Sequence, residues 1–165
     1  MKITVALLLL SLPLAALAKD ASPDSSFYKD AAEAGIAEVE AGKLASAQGT
    51  SQDVKDFAAM MVKDHTAANE KLKGIAMAKG VKLPTEPGVK HKAMKKMLEM
   101  KSGESFDKSY IEGQIKDHKD TAELLQKEID SGQDAEAKAF ASETLPKVKM
   151  HLEKIQQIAT AHGVK

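Results

Sequence analysis

The sequence predicts an all-α protein: an antiparallel four-helix bundle, with a short extra helix in the crossover between its second and third long helices. Three observations carry that expectation. Ala, Lys, Glu, Met and Leu, all good helix formers, dominate the chain. Glycines and prolines gather in a few places and leave long stretches uninterrupted between them. No stretch shows the period-two alternation of a half-buried strand.

The elements follow in order. Residues 1–18, "MKITVALLLLSLPLAALA", join one basic residue to an apolar run and end on the small-x-small pattern Ala16-Leu17-Ala18. That is the form of a secretory signal peptide cleaved after Ala18, and the run is shorter than the roughly 20 residues of a spanning helix. The chain has no Cys, so the leader carries no acylated cysteine and the exported domain no disulfide. The expectation is a periplasmic protein with no membrane span in its mature chain, residues 19–165 forming one domain.

Within that domain, Ser25 or Ser26 caps a first helix that runs to about Gln48 and stops at Gly49. Ser51 caps a second, with Asp53 in its first turn, reaching Lys79 before Gly80. The break "VKLPTEPGVK" contains Pro84 and Pro87, and "KHKAMKKMLEMK" then reads as the short helix. A third long helix spans about Glu104 to Asp130 and is closed by "SGQD". The fourth starts near Asp134 or Ala135 and continues to Ala161, with a kink expected at Pro146.

Stepping alternately by four and three residues gives the inward stripes. The second helix offers Val54, Ala58, Met61, His65, Ala68, Leu72 and Ile75. The third offers Ile111, Ile115, His118, Ala122, Leu125 and Ile129, and the fourth Ala137, Ala141, Thr144, Val148, His151, Ile155 and Ile158. The first helix has two registers: one through Phe27, Ala31, Ala34, Glu38, Ala41 and Ala45, the other through Ala32, Gly35, Val39 and Gly42. At about 1.5 Å of rise per residue, Glu38, His65, His118 and His151 all fall near mid-height, and in an up-down-up-down bundle they converge on one layer. Three imidazoles and a carboxylate suit a metal site built from facing helices.

The stretches "AAEAGIAEVEAGKLA", "VKDFAAMMVKDHTAANEKL", "GVKLP", "SGESFDKSYIEGQIKDH" and "FASETLPKVKMHL" resemble, in order and over about Phe27 to Leu152, an exported ferritin-like family of unknown function often labelled outer membrane proteins. The resemblance implies a ferritin-like bundle of two similar helical hairpins. It puts the family's Asp-His pairs on Asp64-His65 and Asp117-His118, its Leu-Pro with a following His on Leu145, Pro146 and His151, and its first-helix Glu on Glu38. The chain departs from true ferritins in having no Glu-x-x-His, the motif that supplies most ligands of a di-iron site. No di-iron site is expected.

Two readings of the layer stand side by side. It holds one transition metal (zinc, copper or iron) through His65, His118 and His151 with Glu38 as fourth ligand, or it is a buried hydrogen-bonded histidine network in a structural bundle. Asp64 and Asp117 are placed either to accept the free N–H of a ligating histidine on a neighbouring helix or to pair with surface lysines. Met61 lies one turn before His65 and extends the site towards copper. His91, Met94, Met97 and Met100 on the short helix are soft ligands or, on the plainer reading, the amphipathic cap of the bundle.

Other function classes find little support. The 24 basic and 24 acidic residues balance, so nothing draws the chain to nucleic acid. All basic residues are Lys, which disfavours bidentate phosphate recognition. No Trp and two Tyr leave no stacking platform for bases or sugars. With no Cys and no nucleophile elbow, covalent catalysis is not expected. An enzyme on the same histidine site stays a third reading.

Overall fold

The computed structural model describes residues 24–164; residues 1–18, where a signal peptide is expected, lie outside them. Among the described residues there are five helices: α1 (Ser25–Gln48), α2 (Gln52–Ala78), α3 (Val89–Glu99), α4 (Gly103–Ser131) and α5 (Ala135–Ala161). The helix ends fall where the punctuation put them, with different capping groups at two starts. Asp24, not Ser25 or Ser26, stands at the N-cap of α1. Ser51 stands at the N-cap of α2 but makes no capping bond. Its Oγ and its backbone N–H both donate to Asp107 Oδ2 at 2.9 Å, while Thr50 N–H donates to Asp107 Oδ1 at 2.9 Å. A buried carboxylate of α4 therefore holds the α1–α2 turn. Asp134 does cap α5, accepting from the N–H groups of Glu136 and Ala137. α5 runs through Pro146 without interruption.

Side-chain pairs fix the helix directions. Glycines 35 and 42 of α1 face Asn69 and Ala58 of α2, so α1 and α2 are antiparallel. The start of α4 lies beside the end of α1 through Asp107, and Asp24 Oδ2 accepts from the N–H groups of Gln133 and Asp134 at the far end. α5 runs against α2: His162 Nε2 meets Asp53 Oδ2 at 3.0 Å at one end, and Lys79 Nζ meets Asp134 Oδ1 at 2.9 Å at the other. The ring order is thus α1, α2, α5, α4, each helix antiparallel to its neighbours. The chain runs up-down-down-up, not up-down-up-down, and the segment 79–102 climbs the height of the bundle carrying α3.

Two apolar clusters fill the interior. One contains Val54, Phe57, Met61, Phe106, Ile111 and Ile155; the other contains Phe27, Leu72, Leu125, Ala141 and Val148. On each long helix the mid-height polar residue sits between its contributions to the two clusters. On α1 the observed face takes members of both expected registers: Ala32, Gly35, Glu38, Gly42 and Ala45 are buried. The glycines explain this. A Cβ on Gly42 would stand 2.9 Å from the Ala58 carbonyl oxygen and from Val62 Cγ2, so absent side chains let α1 lie close against α2 and turn Glu38 inward.

Candidate metal centre

The layer between the two apolar clusters is made by α2, α4 and α5. His65, His118 and His151 are 7%, 1% and 1% exposed. Their ring centroids form a near-equilateral triangle of 5.7, 5.6 and 5.5 Å sides, and one ring nitrogen from each lies within 4.8 Å of the other two.

The outward nitrogens of His118 and His151 are engaged. His118 Nδ1 lies 2.9 Å from the Gln114 carbonyl oxygen one turn back, a contact that requires the proton on Nδ1. His151 Nε2 lies 3.0 Å from Asp64 Oδ2, where the carboxylate accepts the Nε2 proton. Both contacts leave the opposite nitrogen with a free lone pair. Those opposite nitrogens, His118 Nε2 and His151 Nδ1, together with His65 Nε2, are buried and have no hydrogen-bond partner.

Burial disfavours charging the rings. It pushes the pKa of His65 down to about 3 and that of His118 down to about 4, each lowered further by the neighbouring imidazoles. His151 is lowered by burial too, against the opposing pull of Asp64. The three imidazoles are neutral, and those of His118 and His151 turn a lone pair inward, the state a cation needs.

Glu38 is 4% exposed and belongs to the same layer. Its Oε2 accepts from Gln114 Nε2 at 2.6 Å, and its Oε1 lies 3.5 Å from His118 Nδ1. It therefore stands behind the His118 ring, and the convergent ligand atoms belong to the three histidines. Burial raises its carboxyl to about 8.

The two Asp-His pairs differ. Asp64 holds His151 across the α2–α5 contact. Asp117 is turned away from the triad, towards α3, and its Oδ1 is unpartnered; burial raises its carboxyl. Met61 is fully buried in the cluster with Phe57 and Ile111. On α3 only Leu98 is buried, and Met97 and Met100 stand exposed.

Gln114 and Asp107 were not anticipated. Both lie on the inward stripe of α4, which runs 107, 111, 114, 118 where the stepping chose Ile115. A polar residue on a core stripe was the available signal.

No curated protein matches the chain. Two solved structures resemble it in fold. A protein from Streptomyces coelicolor described as a secreted DUF305 protein is 13% identical and has a TM-score of 0.75, over 87% of this chain and 94% of that one. A conserved hypothetical protein, rv2844, from Mycobacterium tuberculosis is 19% identical with a TM-score of 0.66, over 84% of this chain and 91% of that one. Among the described residues no helix is long and apolar enough to cross a membrane. The family model described as a domain of unknown function, DUF4142, matches residues 10–158, and the chain belongs to that family.

Proposed function

We propose that this protein binds one transition-metal ion in mid-bundle through His65 Nε2, His118 Nε2 and His151 Nδ1. The carrying observation is the set of three buried, unpartnered ring nitrogens facing one another. A metal-free network leaves each of them unsatisfied, at a cost of about 1–3 kcal/mol apiece. Imidazole donors suit zinc, copper or iron. Donors on a tetrahedral ion with bonds of roughly 2.0–2.1 Å stand about 3.4 Å apart, so binding draws the rings inward.

In this reading Asp64 fixes the tautomer of His151, and the Gln114 carbonyl that of His118. Glu38 acts through His118 and Gln114 as a negative group behind the ligand set, or swings in as a fourth ligand. The up-down-down-up order with one long crossover supports a ferritin-like bundle, and the leader-like residues 1–18 support export to the periplasm as a single mature domain. The role is metal handling in the envelope, with a part in oxidative or metal stress, rather than turnover.

The test is metal analysis of the untagged mature protein, as purified and after reconstitution with zinc, copper and iron. One equivalent of metal is expected in the parent and none in His118→Ala. Failure of the parent to take up any of the three leaves a histidine cluster with no ion and ends the proposal.

A further inference from the structure

A second feature lies on the outer side of Glu38 and Gln114. Between α3 and the facing surfaces of α1 and α4 is a cavity of about 340 Å³, at the small end of the range for organic ligands. Unpartnered buried polar atoms cluster in its lining: Tyr110 Oη, Gln114 Oε1, Asp117 Oδ1 and His91 Nδ1. Tyr110 and Gln114 are 2% and 3% exposed, so these are not surface groups waiting for bulk solvent. Native proteins rarely leave such atoms without a partner.

The lining also looks kept open. Gly113 lines the cavity from α4, and a Cβ added there would meet no atom within 4 Å. Gly in a helix interior costs about 1 kcal/mol relative to Ala, and here no close packing requires it. Ala37 and Ala41 are short on the α1 side, where α3 brings Met94 and Leu98.

The chemistry of the unpartnered atoms selects the ligand. Gln114 Oε1 and Asp117 Oδ1 only accept when the carboxyl is ionised, and Tyr110 Oη can also accept. Two of the three lysines at the rim are already engaged, Lys95 with Glu99 at 3.2 Å and Glu40 at 3.5 Å, and Lys116 with Asp120 at 2.6 Å, while Lys101 forms no ion pair among the described residues. The walls beside the acceptors are apolar.

We propose that this cavity is a binding site for a short aliphatic primary amine, its ammonium group donating to Gln114, Asp117 and Tyr110 and its methylenes lying against Ala41, Met94 and Leu98. An ammonium offers three donors, one each for Gln114, Asp117 and Tyr110, and leaves His91 Nδ1, the fourth unpartnered atom, outside the contact. The site shares Gln114 with the histidine centre, through the carbonyl that holds His118 and the Nε2 that donates to Glu38, but it does not need a metal to be bound there.

The experiment is a titration of the full mature protein with n-butylamine, n-butanol and n-butyrate, followed by NMR chemical shifts. Saturable binding of the amine is expected, with shifts on α3 and the facing residues of α1 and α4. Butanol should bind at least about tenfold more weakly, since charge-assisted hydrogen bonds are the stronger ones. Butyrate should not bind. Gly113→Leu, which fills the cavity with a better helix former, should abolish amine binding while circular dichroism and metal content stay as in the parent. The isosteric Asp117→Asn should weaken it about tenfold or more. No saturable amine binding, equal binding of butyrate, or undiminished binding by Gly113→Leu would each overturn the proposal. His118→Ala separates the two sites, because it removes the metal and leaves amine binding in place.

Discussion

The Asp64–His151 contact defines what one residue contributes to the centre. The carboxylate accepts the Nε2 proton at 3.0 Å, which leaves Nδ1 as the donor atom and fixes the ring plane. Asp64→Asn keeps the shape but replaces an obligate acceptor by an amide that can present N–H to the ring, and metal affinity should fall about 10- to 100-fold. Competition with a chromophoric chelator measures this; unchanged affinity would mean that the bond does not orient the ligand. The sequence placed the triad at residue resolution because His65, His118 and His151 each fall on an apolar stripe whose period is unambiguous. It did not separate Asp64 from Asp117. Each is one position from its histidine, and only the packing of α5 beside α2 and of α3 beside α4 decides which carboxylate meets an imidazole.

At the scale of elements, the α1–α2 hairpin rests on missing side chains and on one carboxylate. Gly42→Ala brings a Cβ to 2.9 Å from the Ala58 carbonyl oxygen, so the helices must part, at a cost of about 1–3 kcal/mol. Gly74→Ala, on α2 where a Cβ meets nothing within 4 Å, should instead stabilise by up to about 1 kcal/mol. Urea unfolding of the two variants reads opposite signs from one chemical change. Asp107→Ala strips three hydrogen bonds from the turn at Thr50 and Ser51, and a loss of about 3 kcal/mol is expected by the same measurement. Helix existence and length were legible from glycines, prolines and composition. The face of α1 was not, because alanines and glycines mark both candidate registers and only the close approach to α2 selects between them.

For the whole molecule, the buried layer sets the pH dependence of the metal-free protein. The histidines have folded pKa values below the unfolded value of about 6.5, so the unfolded chain binds more protons and stability falls as pH drops below about 6.5. Glu38, raised to about 8, and Glu128, raised to about 7 by burial beside Asp24, work the other way. Their contribution is complete below the unfolded carboxyl range near 4.5 and is lost as pH rises through 7 and 8. Each group changes the free energy by about 1.4 kcal/mol per pH unit inside its window. Just below pH 6.5 three histidines oppose Glu38 and Glu128, with Asp117, whose carboxyl burial also raises, acting on the side of the glutamates at the acid end, and the net slope just below 6.5 is positive. From 6.5 to 8 only the glutamates act, and the slope is negative. Stability of the metal-free protein should therefore peak near pH 6.5, and Glu38→Gln should flatten the alkaline decline and steepen the acid limb, where Glu38 no longer opposes the histidines. Metal binding replaces the unsatisfied lone pairs and adds stability that grows with free metal concentration, and protons compete for the same nitrogens. Burial holds the folded values of His65 and His118 at about 3 and 4, so that competition sets in well below the unperturbed value of about 6.5 and the loaded protein keeps its advantage into mild acid. Melting temperatures from pH 4.5 to 8.5, with and without zinc, resolve the two profiles, and a zinc-induced increment as large in His118→Ala as in the parent would place the ion outside the histidine layer.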